Sequence, residues 1–170
     1  MKMWKKLAAC VLAAAMALTL LTACGGGGGG STGGGSVDNS FSSAAFTQNV
    51  NDKLAAKGSS QKLTHDNALK AKAEIIAKDM SMTASEVSGM TQQQIQDAIV
   101  QRLYRALADA KLETGKEDMG YVYGYSDDAM ADKFADEVRN STFEKIEQIG
   151  FAKCKIGNQT FIFSAYSYTK

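Results

Sequence analysis

The sequence predicts one α+β domain in which the helices come first and the strands later. From Phe46 to about Leu112, apolar residues recur every three or four positions, which is the spacing of amphipathic helices. After Gly150, two alternating β-rich runs flank Gly157-Asn158-Gln159, the pattern of a hairpin. The part of the 170-residue chain between residues 37 and 170 is the size of one ordinary domain and can bury a core without disulfides.

The N-terminal segment, residues 1–23, is predicted to be an export signal. Three lysines in the first six residues precede an apolar stretch that ends at Leu21. Leu21-Thr22-Ala23-Cys24 resembles the bacterial lipobox, whose cysteine is diacylated and becomes the first residue of the mature chain. We therefore expect lipidation of Cys24 to anchor the protein to the cell membrane, facing the extracytoplasmic side. An uncleaved transmembrane anchor is the alternative, although a spanning helix needs roughly 20 apolar residues.

Residues 24–36 are predicted to be a flexible tether that begins at the lipidated cysteine. Gly25 to Gly30 and then Ser31-Thr32-Gly33-Gly34-Gly35-Ser36 carry too little apolar surface to pack. Such a segment spreads over roughly 20 Å and would hold the domain clear of the bilayer. A glycine-rich phosphate loop would need a preceding strand and a following Gly-Lys-Ser/Thr, and neither is present.

Two helices are predicted at the start of the domain. Phe46, Val50 and Leu54 recur every four residues, and Gly58 stands at the position of a helix C-cap. Asp66 then lies at the start of the second helix, where its negative charge interacts favourably with the positive end of the helix dipole. The apolar face of that helix is formed by Leu69, Ala73, Ile76, Ala77 and Met80.

Two capping boxes predict the next two helices. Thr83-Ala84-Ser85-Glu86 opens a short helix that ends at Gly89. Thr91-Gln92-Gln93-Gln94 opens a longer one that runs to about Leu112. Its apolar stripe is formed by Ile95, Ile99, Leu103 and Leu107.

The second half of the domain carries the strands and one more helix. Residues 121–125 are typical of a short strand, and Ser126 is a good N-terminus for a helix bearing Met130, Phe134 and Val138. Residues 151–156 and 160–168 form the predicted hairpin. Alternation places Ala152, Cys154 and Ile156 on one face of the first strand, with Phe161, Phe163 and Ala165 as a similar row on the second.

Tyr121, Tyr123 and Tyr125 are the candidate ligand-binding residues. On a strand they would share one face, and tyrosine is enriched at recognition surfaces because it combines rigid area with a polar tip. Packing beneath a helical layer is the alternative interpretation, and we favour it for these side chains.

Composition excludes several classes of function. Removing the three signal lysines leaves 16 basic against 18 acidic residues, with no basic stripe of the kind that binds nucleic acid. Cys154 is the lone cysteine of the mature domain and His65 the only histidine, so no zinc site or internal disulfide is expected. His65 stands beside Asp66 without a positioned nucleophile, and no carboxylate pair is set across a cleft. We predict no cofactor and no catalytic residue.

The order of landmarks resembles the CAP superfamily (cysteine-rich secretory, antigen 5 and pathogenesis-related proteins, also called SCP-like). Its first helix ends near Asn-x-x-Arg and a glycine, and here residues 50–53 precede Gly58. Residues 63–69 and Ala73 follow the family's Leu-x-Trp-x-x-x-Leu-x-x-x-Ala pattern, with His65 at the aromatic position.

Three further landmarks of the CAP resemblance lie in the second half. Tyr123-Gly124-Tyr125-Ser126 before Phe134 is similar to the family's Gly-x-Ser/Thr turn and the tryptophan of the next helix. Ile149-Gly150-Phe151-Ala152 is similar to its Ile-Gly-x-Gly strand, and Phe161-Ile162-Phe163 to its last, aromatic-rich strand. The resemblance implies an α-β-α sandwich with a small antiparallel sheet and four to five helices.

The chain departs from the CAP pattern where the family has its function. CAP domains carry two histidines and two acidic residues in a central cleft, and the elements that supply them are not found here, so no cleft residue is carried over. The expected function is therefore a membrane-anchored lipoprotein with a non-catalytic CAP-like domain that binds an apolar, peptide or glycan ligand, or an envelope component. A hydrolase or metal-dependent enzyme with an unrecognised site and a purely structural envelope protein stay open as alternatives.

Overall fold

The computed structural model describes residues 37–141 and 145–169. Within them lie five helices and four strands. In chain order these are α1 (Ser43–Ala56), β1 (Thr64–His65), α2 (Asn67–Met80), α3 (Ala84–Ser88), α4 (Gln92–Ala110), β2 (Glu117–Gly124), α5 (Asp127–Asn140), β3 (Lys145–Ile156) and β4 (Gln159–Thr169). The prediction of an α+β fold is confirmed.

The four strands form one mixed sheet in the order β1-β3-β4-β2. β3 and β4 are an antiparallel hairpin, and Gly157 adopts a φ of 61° in the tight turn between them, a conformation that favours glycine. β2 pairs antiparallel with β4. The expectation of a small antiparallel sheet is wrong at one edge, where β1 pairs parallel with β3. β1 has only two residues, too few to leave a periodic signal.

Helices cover both faces of the sheet, which gives three layers. One core lies between the sheet and α2, α3 and α4, and it contains the Ala152, Cys154 and Ile156 row of β3 together with the Phe161, Phe163 and Ala165 row of β4. A second core lies between the other face and helices α1 and α5, around Phe46, Val50, Leu54, Met130, Phe134, Val138 and Phe151. The predicted division of the strand residues between two faces is confirmed.

The helix ends follow from local sequence signals. Ser42, Asp66, Thr83, Thr91 and Ser126 each accept a backbone hydrogen bond as N-caps, and both predicted capping boxes are formed. Gly58 has a φ of 75°, and the N–H groups of Gly58 and Ser59 donate to the carbonyls of Ala55 and Leu54. These two bonds form a Schellman motif, so the predicted C-cap of the first helix is confirmed.

Two predicted boundaries shift in the structure. α4 ends at Ala110, where Lys111 adopts a left-handed backbone, and the last buried positions of the helix are Ala106 and Ala110 while Leu107 is half-buried. The strand predicted over residues 121–125 runs instead from Glu117 to Gly124. The first half of β2 was not predicted because it contains Glu117, Asp118 and Gly120, and charged residues and glycine are depleted in strands.

Gly150 allows α2 to lie directly on the sheet. A Cβ atom at this position would stand 1.9 Å from the backbone nitrogen of Lys70 and 2.4 Å from the carbonyl carbon of Leu69, in the first turns of α2. Any side chain would push the helix away, so the glycine of the Ile149-Gly150-Phe151-Ala152 segment is needed for a close approach of two backbones.

The predicted signal (residues 1–23) and the predicted tether (residues 24–36) lie outside the described residues. Among the helices of the described ranges, none is long and apolar enough to cross a membrane.

Candidate functional site

The structure separates the three candidate tyrosines. Tyr121 and Tyr123 are half-buried on β2 and pack against the core beneath α2 and α4, with their rings 6.3 and 5.7 Å from that of Phe161. Tyr125 follows the end of β2 and is 94% exposed. The expectation that all three share one face of a strand is therefore wrong for Tyr125, because β2 ends one residue earlier.

Other predicted residues stand apart from one another. Cys24, the predicted lipidation site, lies outside the described residues. His65 lies in β1, and its Nε2 atom is buried without a hydrogen-bond partner, while Asp66 caps α2 by accepting from Leu69 N at 2.8 Å. Burial raises the pKa of the Cys154 thiol to about 12. Across residues 37–141 and 145–169, no group of three metal-ligating side chains is close enough to hold a metal ion.

A cleft of about 320 Å³ opens where α1 and α5 begin beside β3. We call it the Lys153 cleft. Its volume is at the lower end of the range of small-molecule sites, about 300–1,000 Å³. It is lined by Ser40, Phe41, Ser42, Ala45, Phe46, Asn49, Asp127 and Lys153.

The Lys153 ammonium lies between two carboxylates at this cleft. Its Nζ atom is 3.1 and 3.2 Å from the two oxygens of Asp127 and 3.5 Å from Oδ2 of Asp38. Asp127 is placed by the start of α5, where an acidic side chain also favours the helix dipole. Lys153 is carried by β3 on the face that Lys155 and Phe151 share. These three charged groups together carry one net negative charge.

Asp38 fastens the start of the described chain to β3. Its backbone N–H donates to the carbonyl of Lys153 at 2.8 Å, in addition to the ion pair between their side chains. The Ser40 hydroxyl and backbone N–H donate to Oδ1 of Asp38, and these bonds, with the Lys153 charge, lower the pKa of Asp38 below its ordinary 3.8 against the opposing effect of desolvation. The start of the described chain is therefore bonded directly to Lys153, which lines the cleft.

The apolar side of the cleft is an aromatic platform. The half-buried Phe41 ring lies 5.4 Å from the ring of Phe46, which is only 3% exposed. Phe46 and Phe134 both meet Phe151 edge to face, at 4.8 and 5.0 Å. Because these rings belong to the core between the sheet and α1 and α5, the platform is rigid. The Lys153 ammonium also lies 5.6 Å from the centre of the Phe41 ring.

The lining of the cleft is mixed in its chemistry. The eight lining residues of the cleft include no histidine and no cysteine. They offer a cation, a carboxylate, an amide and hydroxyl groups around an aromatic surface, which is the composition of a polar ligand site.

The sequence did not indicate this cleft. Lys153 falls on the face of the predicted strand opposite Cys154, and Asp127 falls in the first turn of the helix predicted after Ser126. Neither position by itself indicates a ligand site. Residues 38 and 153 are brought together by the fold, so no spacing in the sequence could have linked them. The aromatic pair Phe41 and Phe46 offered one local signal, because a half-buried aromatic just before a helix N-terminus commonly packs on that helix.

No family model, curated protein or solved structure matches this chain.

Proposed function

We propose that this protein is a lipid-anchored, extracytoplasmic binding protein whose domain holds a ligand in the Lys153 cleft without chemical conversion. The observation that carries the proposal is the Leu21-Thr22-Ala23-Cys24 segment after an apolar stretch and before a glycine-rich tether. One cysteine modified in this way supplies two or three acyl chains, enough for stable anchoring where a single chain would not be.

The geometry of the cleft supports the binding part of the proposal. It combines a rigid aromatic surface with charged and polar groups held by hydrogen bonds, and preorganised groups of this kind lose little entropy when a ligand binds. Tyr121, Tyr123 and Tyr125 support it less, because two of them contribute to packing and the third stands alone at the surface.

A CAP-like domain is the second part of the proposal. It is supported by the three-layer arrangement and by the places that the resembling segments occupy. Gly58 ends α1, the segment from Leu63 leads into α2, and Gly150 lies on β3 against that helix. Since no CAP cleft residue is carried over, this part of the proposal concerns architecture and adds no catalytic role.

Acyl labelling of two cysteine variants tests the anchoring. The full chain with a C-terminal epitope is expressed in a bacterium fed an alkyne analogue of palmitate, as wild type, Cys24→Ser and Cys10→Ser. Wild type and Cys10→Ser should carry the label and have a mature N-terminus at residue 24 by mass spectrometry. Cys24→Ser should carry none. Equal labelling of Cys24→Ser and wild type, or a mature chain that retains residues 1–23, would contradict the proposal.

A further inference from the structure

We infer that the Lys153 cleft takes a neutral, hydroxyl-rich ring, the chemistry of a saccharide, and that the tether keeps the cleft from pointing directly away from the membrane. The inference deepens the proposed function and rests on it for the location, whereas the ligand chemistry rests on the cleft itself.

The charges of the cleft disfavour an anionic ligand. Lys153 is the one cation among the eight lining residues, and its ammonium is already paired with Asp127 at 3.1 Å and with Asp38 at 3.5 Å. A phosphate or carboxylate would therefore compete with two carboxylates for a single ammonium. A purely apolar ligand is disfavoured for a different reason, because it would remove water from Lys153 and Asp127 and give them no hydrogen bonds in return.

The polar groups of the cleft are well suited to bind hydroxyl groups of a ligand. A hydroxyl both donates and accepts, so it can accept from Lys153 and donate to Asp127 at once. Asp127 contributes two carboxylate oxygens, which have room for further donors besides the ammonium. The exposed Ser40 and Ser42 lie on the rim. A ligand with several hydroxyls could therefore join the existing network without breaking the ion pair.

The aromatic platform selects the shape of the ligand. Phe41 packs on the buried Phe46 and lines the cleft, with the Lys153 ammonium 5.6 Å from the centre of its ring. A pyranose ring has C–H groups on its faces and hydroxyls on its rim, so it can lay a face on an aromatic ring while its edge reaches polar side chains. Phe41, Asp127 and Lys153 supply these two kinds of contact side by side.

The anchor restricts where the cleft can point. Twelve residues, 25–36, separate Cys24 from Val37 and can span at most about 43 Å. A domain of this size has a radius of gyration of about 14 Å, which for a uniform sphere corresponds to a radius of about 18 Å and a half-circumference of roughly 57 Å. The tether is therefore too short to place the chain entry at the pole of the domain opposite the membrane. Since Asp38 lies two residues before Ser40 in the cleft lining, the cleft cannot point directly away from the membrane.

Saccharide binding is tested on the lipidated full chain in phosphatidylcholine nanodiscs by saturation-transfer NMR. The probes are a neutral glucose trimer, a neutral N-acetylglucosamine trimer and the anionic glucuronate. We expect transfer to at least one neutral trimer, a loss of fivefold or more in Phe41→Ala and in Asp127→Asn, and little transfer to glucuronate. Tyr125→Ala is the matched control, because it removes an exposed aromatic outside the cleft and should bind as wild type.

Unfolding midpoints of the variants show whether each one is folded. Asp127→Asn keeps the shape of the side chain, so the test stands if Phe41→Ala fails to fold. Adding glucosyl-diacylglycerol to the nanodiscs distinguishes two sources of the ligand. If the headgroup competes with the free trimer the source is a membrane glycolipid, and if it does not the ligand is a soluble or wall glycan.

Several outcomes would overturn the inference. These are the absence of transfer to both neutral trimers, stronger transfer to glucuronate, and equal transfer in Phe41→Ala, Asp127→Asn and Tyr125→Ala. None of these outcomes depends on the acyl labelling of Cys24. A wrong ligand class and a wrong anchoring site would therefore be detected as separate results.

Discussion

Replacing Gly150 with alanine should strongly destabilise the domain. This glycine lies on β3 opposite Ala165 of β4, and its missing side chain would point at the first turns of α2. An alanine Cβ would stand 1.9 Å from Lys70 N and 2.3 Å from Lys70 Cα, both backbone atoms that no rotamer change can move. The helix as a whole must retreat or the strand must bend.

The size of the effect follows from this overlap. Ordinary contacts between such atoms begin near 3.5 Å, so α2 has to withdraw by roughly 1.5 Å. Overpacking of this kind costs typically about 1–3 kcal/mol. The retreat also strains the Asp66 cap of α2, whose loss costs ~1 kcal/mol, and opens a gap above the buried Leu69 and Ala73. We expect a total loss of about 3–4 kcal/mol.

Urea unfolding followed by circular dichroism at 222 nm measures this loss in the chain beginning at Val37. With a urea slope of about 2 kcal/mol per M, the midpoint should fall by roughly 1.5–2 M. Gly89→Ala is the matched control, because no atom lies within 4 Å of its added Cβ and its φ of −99° suits any residue. It should leave the midpoint within about 0.3 M. A Gly150→Ala midpoint equal to that of Gly89→Ala would refute the close approach of α2 to β3.

Three further perturbations follow from single contacts. Ser43→Ala removes the buried hydroxyl that accepts a hydrogen bond from Phe151 N at 2.8 Å. It should lower the free energy of unfolding, measured in the same urea assay, by about 1–3 kcal/mol. The control Ser85→Ala changes an exposed serine and should alter that free energy by less than ~0.5 kcal/mol. Cys154, buried and with its pKa raised from 9.0 to about 12, should react with a thiol reagent at pH 8 about 1,000-fold more slowly in the folded chain than in urea, and equal rates would contradict its burial. Burial raises the pKa of the Asp118 carboxyl above 3.8, although the hydrogen bond from Met119 N opposes the shift. The folded state therefore binds the carboxyl proton more tightly than the unfolded state does. The stability linked to this proton is lost as pH rises above about 3.8. Asp118→Asn keeps an oxygen for Met119 N, so it should exceed wild type in urea midpoint at pH 7 and lose that advantage near pH 3, and a constant difference across this range would exclude the linkage.

Most of the fold could be predicted because its signals are local. The caps at Asp66, Thr83, Thr91 and Ser126 bond to backbone groups three residues away, and the sequence therefore contains both partners of each interaction. Alternation along β3 and β4 is likewise a property of single strands. The two-residue β1 escaped prediction because its only reason to be extended is the distant β3, with which it pairs.

The candidate site could not be predicted for the same physical reason. The partners of Lys153 are Asp127, 26 residues before it, and Asp38, which is more than 100 residues before it. Each of the three residues is common at its local position. The only property that distinguishes them is their distance from one another, which the packing of α1 and α5 against the sheet determines.

The outer edge of β3 explains why these residues meet. Beyond the two residues of β1, the strand would expose unpaired backbone groups, which invite pairing with other chains. Separate segments close this edge in succession, through Asp66 N to Ile149 O, Phe151 N to Ser43 Oγ, Asp38 N to Lys153 O and Met82 N to Lys155 O. The contact at Lys153 is made by the segment that follows the tether. Protection of the sheet edge, attachment of the chain entry and formation of the cleft therefore depend on the same residues, so a change at Asp38 should alter all three together.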